Sequence, residues 1–367
     1  MDIQYNTDWV EDLFIILGIS HKIPDWKLKV SETMTILKSE MQYLVMGING
    51  NDLEILKEAQ KRATNYYING IDLKIKPHFK ELASELLLRN QQPELALSVL
   101  QPLDTNSTVT YITNFGRALL QLGDKEQARQ CFIQASDKAP DSAEPYFHLG
   151  FESMLSGHIK PAIEFYKKSL ARDDKHLGSL LNIAYIYYQL ENFEESIRYA
   201  QDAIKVNPSS VSAYLTISAC LNANNKFEES LNNINSARKS IKDTVAELDE
   251  LESVACYELK KYSRTIKLIN RLIDNKPNAV DFKIIRARSY FELKMFGEAL
   301  KDVDDYLAVE PYEVNALELR FKIFYLINLW REAEIAYIKL TESAPQYKIK
   351  YKNEYQTIRK NLAIAIE

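Results

Sequence analysis

The sequence predicts an all-α solenoid, a row of short helix pairs stacked in phase, and three observations carry that prediction. Prolines fall on a ruler: Pro277, Pro311 and Pro345 are 34 residues apart, Pro208 precedes Pro277 by 69, and Pro140 precedes Pro208 by 68. These intervals are one period, two periods with one inserted residue, and two periods. A stack of helix-turn-helix units has to stop each second helix at the same depth, and proline does so by removing a donor and blocking the preceding turn. Small residues and rings recur at fixed offsets within the same periods. With ten glycines and eleven prolines in 367 residues, little of the chain is left for linkers.

The elements follow in order. Residues 1–75 show no repeat; Asp8 to Leu17, Trp26 to Met46 and Asp52 to Tyr67 read as three helices, broken at His21–Pro24 and Gly47–Gly50. A loose first unit spans 76–108, with Phe79, Leu82, Ala83 and Leu86, then Ala96, Val99 and Leu100. In 109–142 a first helix runs to Leu122, Gly123-Asp124 turns, and Lys125 to Lys138 forms the second helix, closed by Pro140. Gly116, Ala128 and Ala135 are small where two helices must approach to about 8–10 Å, and Phe132 fills the space beside them. Segment 143–176 repeats the offsets with Leu149-Gly150, Ala162 and Tyr166; segment 177–210 with Leu180, Ile183-Ala184, Ser196, Ala203 and Pro208. Segments 280–313 and 314–345 continue with Ala287, Tyr290 and Ala299, then Leu317, Phe324, Ala333 and Tyr337. Two segments depart. In 211–245 the closing proline is missing. In 246–279 Asp249 and Glu252 stand where apolar residues are expected, which suggests a bend or a change of pitch near 240–250. Lys348 to Ile366 reads as one amphipathic helix capping the last apolar surface.

This set of offsets, held in phase over several segments, resembles the tetratricopeptide repeat family of 34-residue helix pairs. The resemblance implies a right-handed superhelical solenoid of about eight pairs over 76–345, an N-terminal helical region at 1–75 serving as a cap or a partner-docking element, and a C-terminal capping helix at 346–367. It also implies a protein-binding scaffold or adaptor without catalysis. Some members grip a C-terminal carboxylate through a Lys and Asn pair in the groove; here Thr113 and Phe147 stand where the lysines are required, so a receptor of that type is not expected.

Composition narrows the classes. A net charge of -5 argues against a general nucleic-acid binder, which carries a basic surface. Three scattered cysteines, Cys131, Cys220 and Cys256, form no disulfide framework and no metal spacing, so no cofactor is expected. The start of the chain has no basic n-region of a secretory signal, and the run Leu13 to Leu17 is too short to cross a bilayer. The expectation is a cytoplasmic protein with no membrane insertion. The five histidines have no metal-ligand spacing, the Gly47–Asp52 stretch is a plain turn, and the run Asp302, Asp304, Asp305 reads as a solvated helix face.

The candidate site is the inner wall, lined by the first helix of each pair. Helical spacing places Asn114 and Arg117 there, then Phe147, His148 and Phe151, then Leu181, Asn182, Tyr185 and Tyr188, with Tyr257 and Phe291 further on. Asn114, His148 and Asn182 share one offset and predict a polar ladder for the backbone of an extended peptide, because an amide both donates and accepts. The expected partner is a protein or peptide. The alternatives are a bacterial secretion-type chaperone holding a partly unfolded client and a self-assembling scaffold, in which self-association replaces the foreign partner.

Overall fold

A computed structural model describes residues 81, 84–85, 88, 91, 93–100, 107–242, 245–276 and 280–364. The three helices expected within 1–75, most of the first helix of the 76–108 unit, and Pro277 lie outside the described residues. Within them are seventeen helices and no strand. The chain is an all-α solenoid of helix pairs, and it divides into two compact units between His176 and Leu177.

The first unit holds α1 (Pro93–Leu100), α2 (Val109–Gln121), α3 (Lys125–Lys138), α4 (Ala143–Leu155) and α5 (Ile159–Leu170). Thr108 starts α2 by accepting the Tyr111 N–H at 3.1 Å, and Asp124 starts α3 by accepting the Gln127 N–H at 3.1 Å. Each cap satisfies a donor the helix cannot use itself. Close approach explains the small residues. A Cβ built on Gly116 would stand 2.7 Å from the Phe132 ring, and one on Gly150 would stand 2.7 Å from the Tyr166 ring. Phe132 and Tyr166 are fully buried, and burying a large apolar side chain contributes about 2 kcal/mol.

The second unit holds α6 (Leu177–Gln189), α7 (Phe193–Val206), α8 (Val211–Ala223), α9 (Phe227–Ser240), α10 (Ala246–Glu258), α11 (Tyr262–Asn275), α12 (Asp281–Glu292), α13 (Phe296–Leu307), α14 (Val314–Leu326), α15 (Trp330–Ser343), α16 (Tyr347–Lys350) and α17 (Lys352–Ile364). The places of Gly116 and Phe132 are taken by Ala184 and Ala200, Ser218 and Ile234, and Ala287 and Val303, all buried.

One turn geometry serves every pair. The residue two before each second helix is left-handed: Gln91, Gly123 and Gly157 in the first unit, then Glu191, Asn225, Lys260, Lys294 and Asn328, the six that are not glycine at φ between 57° and 62°. The N–H of the following residue reaches back to a carbonyl five residues earlier, from Asp124 to Leu119 through to Leu329 to Phe324, at 2.8–3.0 Å. This six-to-one bond ends the helix in a Schellman motif.

After residue 245 the first helix is complete: α10 is thirteen residues long, like α6 and α8, and Asp249 and Glu252 occupy the apolar places at 5 % and 1 % exposure. Two expectations are corrected. Of the run Asp302, Asp304, Asp305, Asp302 is not on a solvated face, whereas Asp304 is exposed and Asp305 half-buried. Asp302 is buried and accepts two bonds from Arg286 at 2.7 Å, while Asp304 pairs with Arg320 and Asp305 with Lys283, each at 2.8 Å. The terminal helix is broken at Tyr351 (φ −112°, ψ 30°), because the buried Tyr351 is drawn inward to donate its hydroxyl hydrogen to Glu318.

Candidate functional site

The first helix of each pair carries the expected binding residues, and the two units treat them differently. In the first unit the polar rungs are turned inward. Asn114 is 2 % exposed; its amide donates to Ser84 Oγ at 3.0 Å and to the Glu81 carbonyl at 3.2 Å, and its oxygen accepts from Arg117 at 3.0 Å. Arg117 is half-buried and paired with Glu85. His148 is buried between Phe132, stacked at 5.2 Å, and the edge of Phe147 at 5.0 Å. Asn114 and His148 therefore form no free ladder: the Asn114 amide is bonded at both ends within its own chain, and His148 is buried with its Nε2 on Glu144.

Glu144 organises this cluster. Its two carboxylate oxygens face His148 Nε2 at 3.2 Å and His176 Nε2 at 3.1 Å. Hydrogen bonds from His148 and then His176 hold the carboxyl well below the usual carboxylate range, against the effect of burial. Burial pushes the His148 imidazole down, opposed by its bond to Glu144. Phe147 lies 4.9 Å from His176, 5.9 Å from Tyr166 and 6.5 Å from Phe151, so the two phenylalanines are half-buried rings fixed by neighbours.

In the second unit the rings stay closer to solvent. Tyr185 on α6 is 51 % exposed, between half-buried Leu181, Asn182 and Tyr188. Tyr188, Tyr257 and Phe291 occupy one place in their helices, together with Tyr325 on α14. Each packs on a ring five residues later, at the start of the second helix: Tyr188 on Phe193 at 6.3 Å, Tyr257 on Tyr262, Phe291 on Phe296 and Tyr325 on Trp330, each at 5.8 Å. Such offset and edge contacts are favourable beyond burial alone. Each ring is thus braced on one side and half-buried on the other. Sequence reasoning missed the bracing rings, although the five-residue offset across the turn recurs four times. It also missed Glu144 and His176.

Among the described residues no group of three or more His, Cys, Asp or Glu could hold a metal ion, and no helix is long and apolar enough to cross a membrane. The arrangement offers apolar ring faces beside a few polar groups, chemistry suited to holding a chain.

Comparison with known proteins agrees with the helix pairs. Tetratricopeptide repeat models match residues 113–150 and 177–210. The mouse protein DnaJ homolog subfamily C member 7 is 20% identical over 264 residues, covering 72% of this chain and 48% of that protein. The Arabidopsis thaliana Hsp70-Hsp90 organizing protein 3 is 23% identical over 186 residues, covering 41% of this chain and 33% of its own. The chain spans about half the length, or less, of these curated relatives. Among solved structures, a tetratricopeptide repeat protein from Parabacteroides merdae has a TM-score of 0.48 at 17% identity, covering 68% of this chain and 98% of its own. YrrB, described as a TPR protein with an unusual peptide-binding site, has a TM-score of 0.48 at 13% identity, covering 53% and 100%. The repeat matches fall in phase with α2–α4 and α6–α7, and the chain is a member of the tetratricopeptide repeat family.

Proposed function

We propose that this chain is a non-catalytic scaffold that binds an extended segment of a partner protein along the first helices of its second unit. The observation that carries this reading is Tyr185, a ring left half in solvent beside Leu181 and Tyr188 on a fully helical, internally braced surface. An aromatic side chain with a polar tip gives a large contact at low ordering cost. The rings already fixed by Phe193, Tyr262 and Phe296 need little further ordering when a partner arrives, which leaves more of the contact energy for affinity. Asn182 remains the candidate backbone contact on this face. Asn114 and His148 have no such role, and Arg117, Phe147 and Phe151 belong to the internal cluster of the first unit.

The test is affinity capture with the intact chain beside Tyr185→Ala and Asn182→Ala. Removing a central anchor ring costs about 2 kcal/mol of binding, so Tyr185→Ala is expected to lose most of the captured protein while its thermal melt stays unchanged. Full capture by both variants, folded as the parent is, would remove the proposal. A client captured only when denatured beforehand would move the reading to a chaperone that holds partly unfolded chains.

A further inference from the structure

Within the second unit, the outward face of the second helix is polar in the first four pairs and changes character in the fifth. At the sixth and ninth places, α7 carries Arg198 and Gln201, α9 carries Asn232 and Asn235, α11 carries Lys267 and Asn270, and α13 carries Lys301 and Asp304, all exposed. At the same places α15 carries Ile335 and Ile338, exposed by 63 % and 44 %. With Tyr312, 75 % exposed, they line a shallow cavity of about 490 Å³ together with Lys339, Glu342 and Ser343. Two branched aliphatic side chains on a helix face that is otherwise polar mark a contact surface.

The charges beside them identify the occupant. Arg331, Ile335, Ile338 and Glu342 follow one another at spacings of four, three and four residues, which puts them on a single stripe of α15. Arg331 and Glu342 are both exposed, and among the described residues neither has an ion-pair partner. They cannot pair within one helix, because eleven residues separate them by about 16 Å along the axis. Both the isoleucine pair and the charge pair straddle one midpoint, between Ala336 and Tyr337. Turning the helix end for end about that midpoint sets Ile335 on Ile338, Ile338 on Ile335, arginine on glutamate and glutamate on arginine. A parallel copy would oppose arginine to arginine. Self-complementarity of this kind is the signature of an isologous two-fold contact.

We propose that α15 pairs antiparallel with α15 of a second copy of this chain, about a two-fold axis passing between Ala336 and Tyr337. Ile335 and Ile338 form the apolar centre, and Arg331 meets Glu342 of the partner subunit at both ends. Lys339 reaches toward Glu332 of the partner subunit. A single helix stripe is small against the 1,200–2,000 Å² or so of a standard stable interface, so the dimer is a weak, micromolar one. The surface is on a second helix and does not involve Tyr185, so the groove reading stands or falls separately.

The experiment is sedimentation equilibrium on the full chain between 1 and 200 μM or so, at low salt, where exposed charges are least screened. The expected result is a monomer–dimer equilibrium. Arg331→Glu alone and Glu342→Arg alone each weaken it by about tenfold or more, because each reversal sets two like-charge contacts in place of two attractive ones. The double exchange R331E/E342R restores it to within about threefold of the parent. Ile335→Asp abolishes it. Unchanged melting of every variant separates lost pairing from lost folding, as expected for exposed side chains. A parent that stays monomeric at the highest concentration overturns the proposal. So does a dimer indifferent to both reversals, and so does a double exchange no better than the singles.

Discussion

The repeats 177–210 and 246–279 put opposite chemistry in the same places. The fourth and seventh residues of the first helix are Leu180 and Ile183 in α6, and Asp249 and Glu252 in α10. All four are buried, at 3 %, 0 %, 5 % and 1 % exposure. The apolar pair needs no partners. The acidic pair has three: Arg238 touches both carboxylates, Arg264 binds Glu252 through Nε at 2.7 Å, and Arg271 reaches Asp249 at 3.1 Å. At the places of Arg264 and Arg271, the earlier repeat carries Glu195 and Asp202. Burial is therefore set by position in the helix pair, while polarity at that position is free to change if the adjacent helices change with it.

Breaking the comparison gives the largest effect. Ile183→Glu buries a carboxylate with no arginine supplied for it and should cost about 4 kcal/mol. Arg238→Ala leaves Asp249 and Glu252 short of their shared partner and should cost about 2 kcal/mol, less than for a wholly buried pair because the guanidinium is partly in solvent. Glu252→Leu, by contrast, restores the chemistry of α6 and should change stability by less than about 1 kcal/mol. Urea melts of the three variants read these differences. A harmless Ile183→Glu would end the idea that the arginines are what permit acid here.

Acid titration sharpens the same contrast with a smaller effect. Burial alone would raise the Glu318 carboxyl, but hydrogen bonds from Lys350, Tyr351 and Lys322, with the Lys322 charge, outweigh it and bring the group down from 4.5 to about 2. A carboxyl depressed by folding contributes stability that is complete above about pH 4.5 and is lost as the pH falls toward 2. Asp249 shifts the opposite way, raised by burial against Arg271 and Arg238, so its protonation on acidification favours the fold. Glu318→Gln should flatten the acid limb of the stability curve between pH 4.5 and 2. An unchanged limb would mean that Glu318 does not fasten α16 and Tyr351.

The smallest effect lies in the turns. Gly123 and Gly157 meet the left-handed requirement without strain, whereas Lys294 carries a Cβ there at φ 62°. Lys294→Gly should stabilise by about 0.5 kcal/mol, the relief of the left-handed strain less the added freedom of the unfolded chain. A destabilised variant would show that the lysine side chain contributes more than its backbone angle takes away.

Much of the fold was legible because its rules are periodic. Gly116 under Phe132, Gly150 under Tyr166, and the alanines at 184 and 287 repeat at one offset, so a single chain displays the rule several times. The ion pairs were not legible for the opposite reason. Arg238, Arg264 and Arg271 stand at unequal distances from the acids they serve, on the helices before and after them, and no other repeat shows that set. The face of the first helices was partly legible. Helical spacing put Tyr185 and the braced rings on it, where they stand exposed or half-buried, but it also put Asn114 there, because spacing does not report what the preceding helix offers. Ser84 and the Glu81 carbonyl draw that amide inward.

The uniform turns also make the second unit measurable. Asn225, Lys260, Lys294 and Asn328 are exposed, stand 34 or 35 residues apart, and share one backbone conformation. Burial raises the thiols of Cys220 and Cys256, and burial followed by the nearby Asp124 charge raises that of Cys131 to about 11. A cysteine introduced at any of the four would take a maleimide spin label or dye ahead of the native thiols. Distances between pairs of such probes would form a graduated scale along the unit, from which its curvature in solution, free or loaded with cargo, could be read directly.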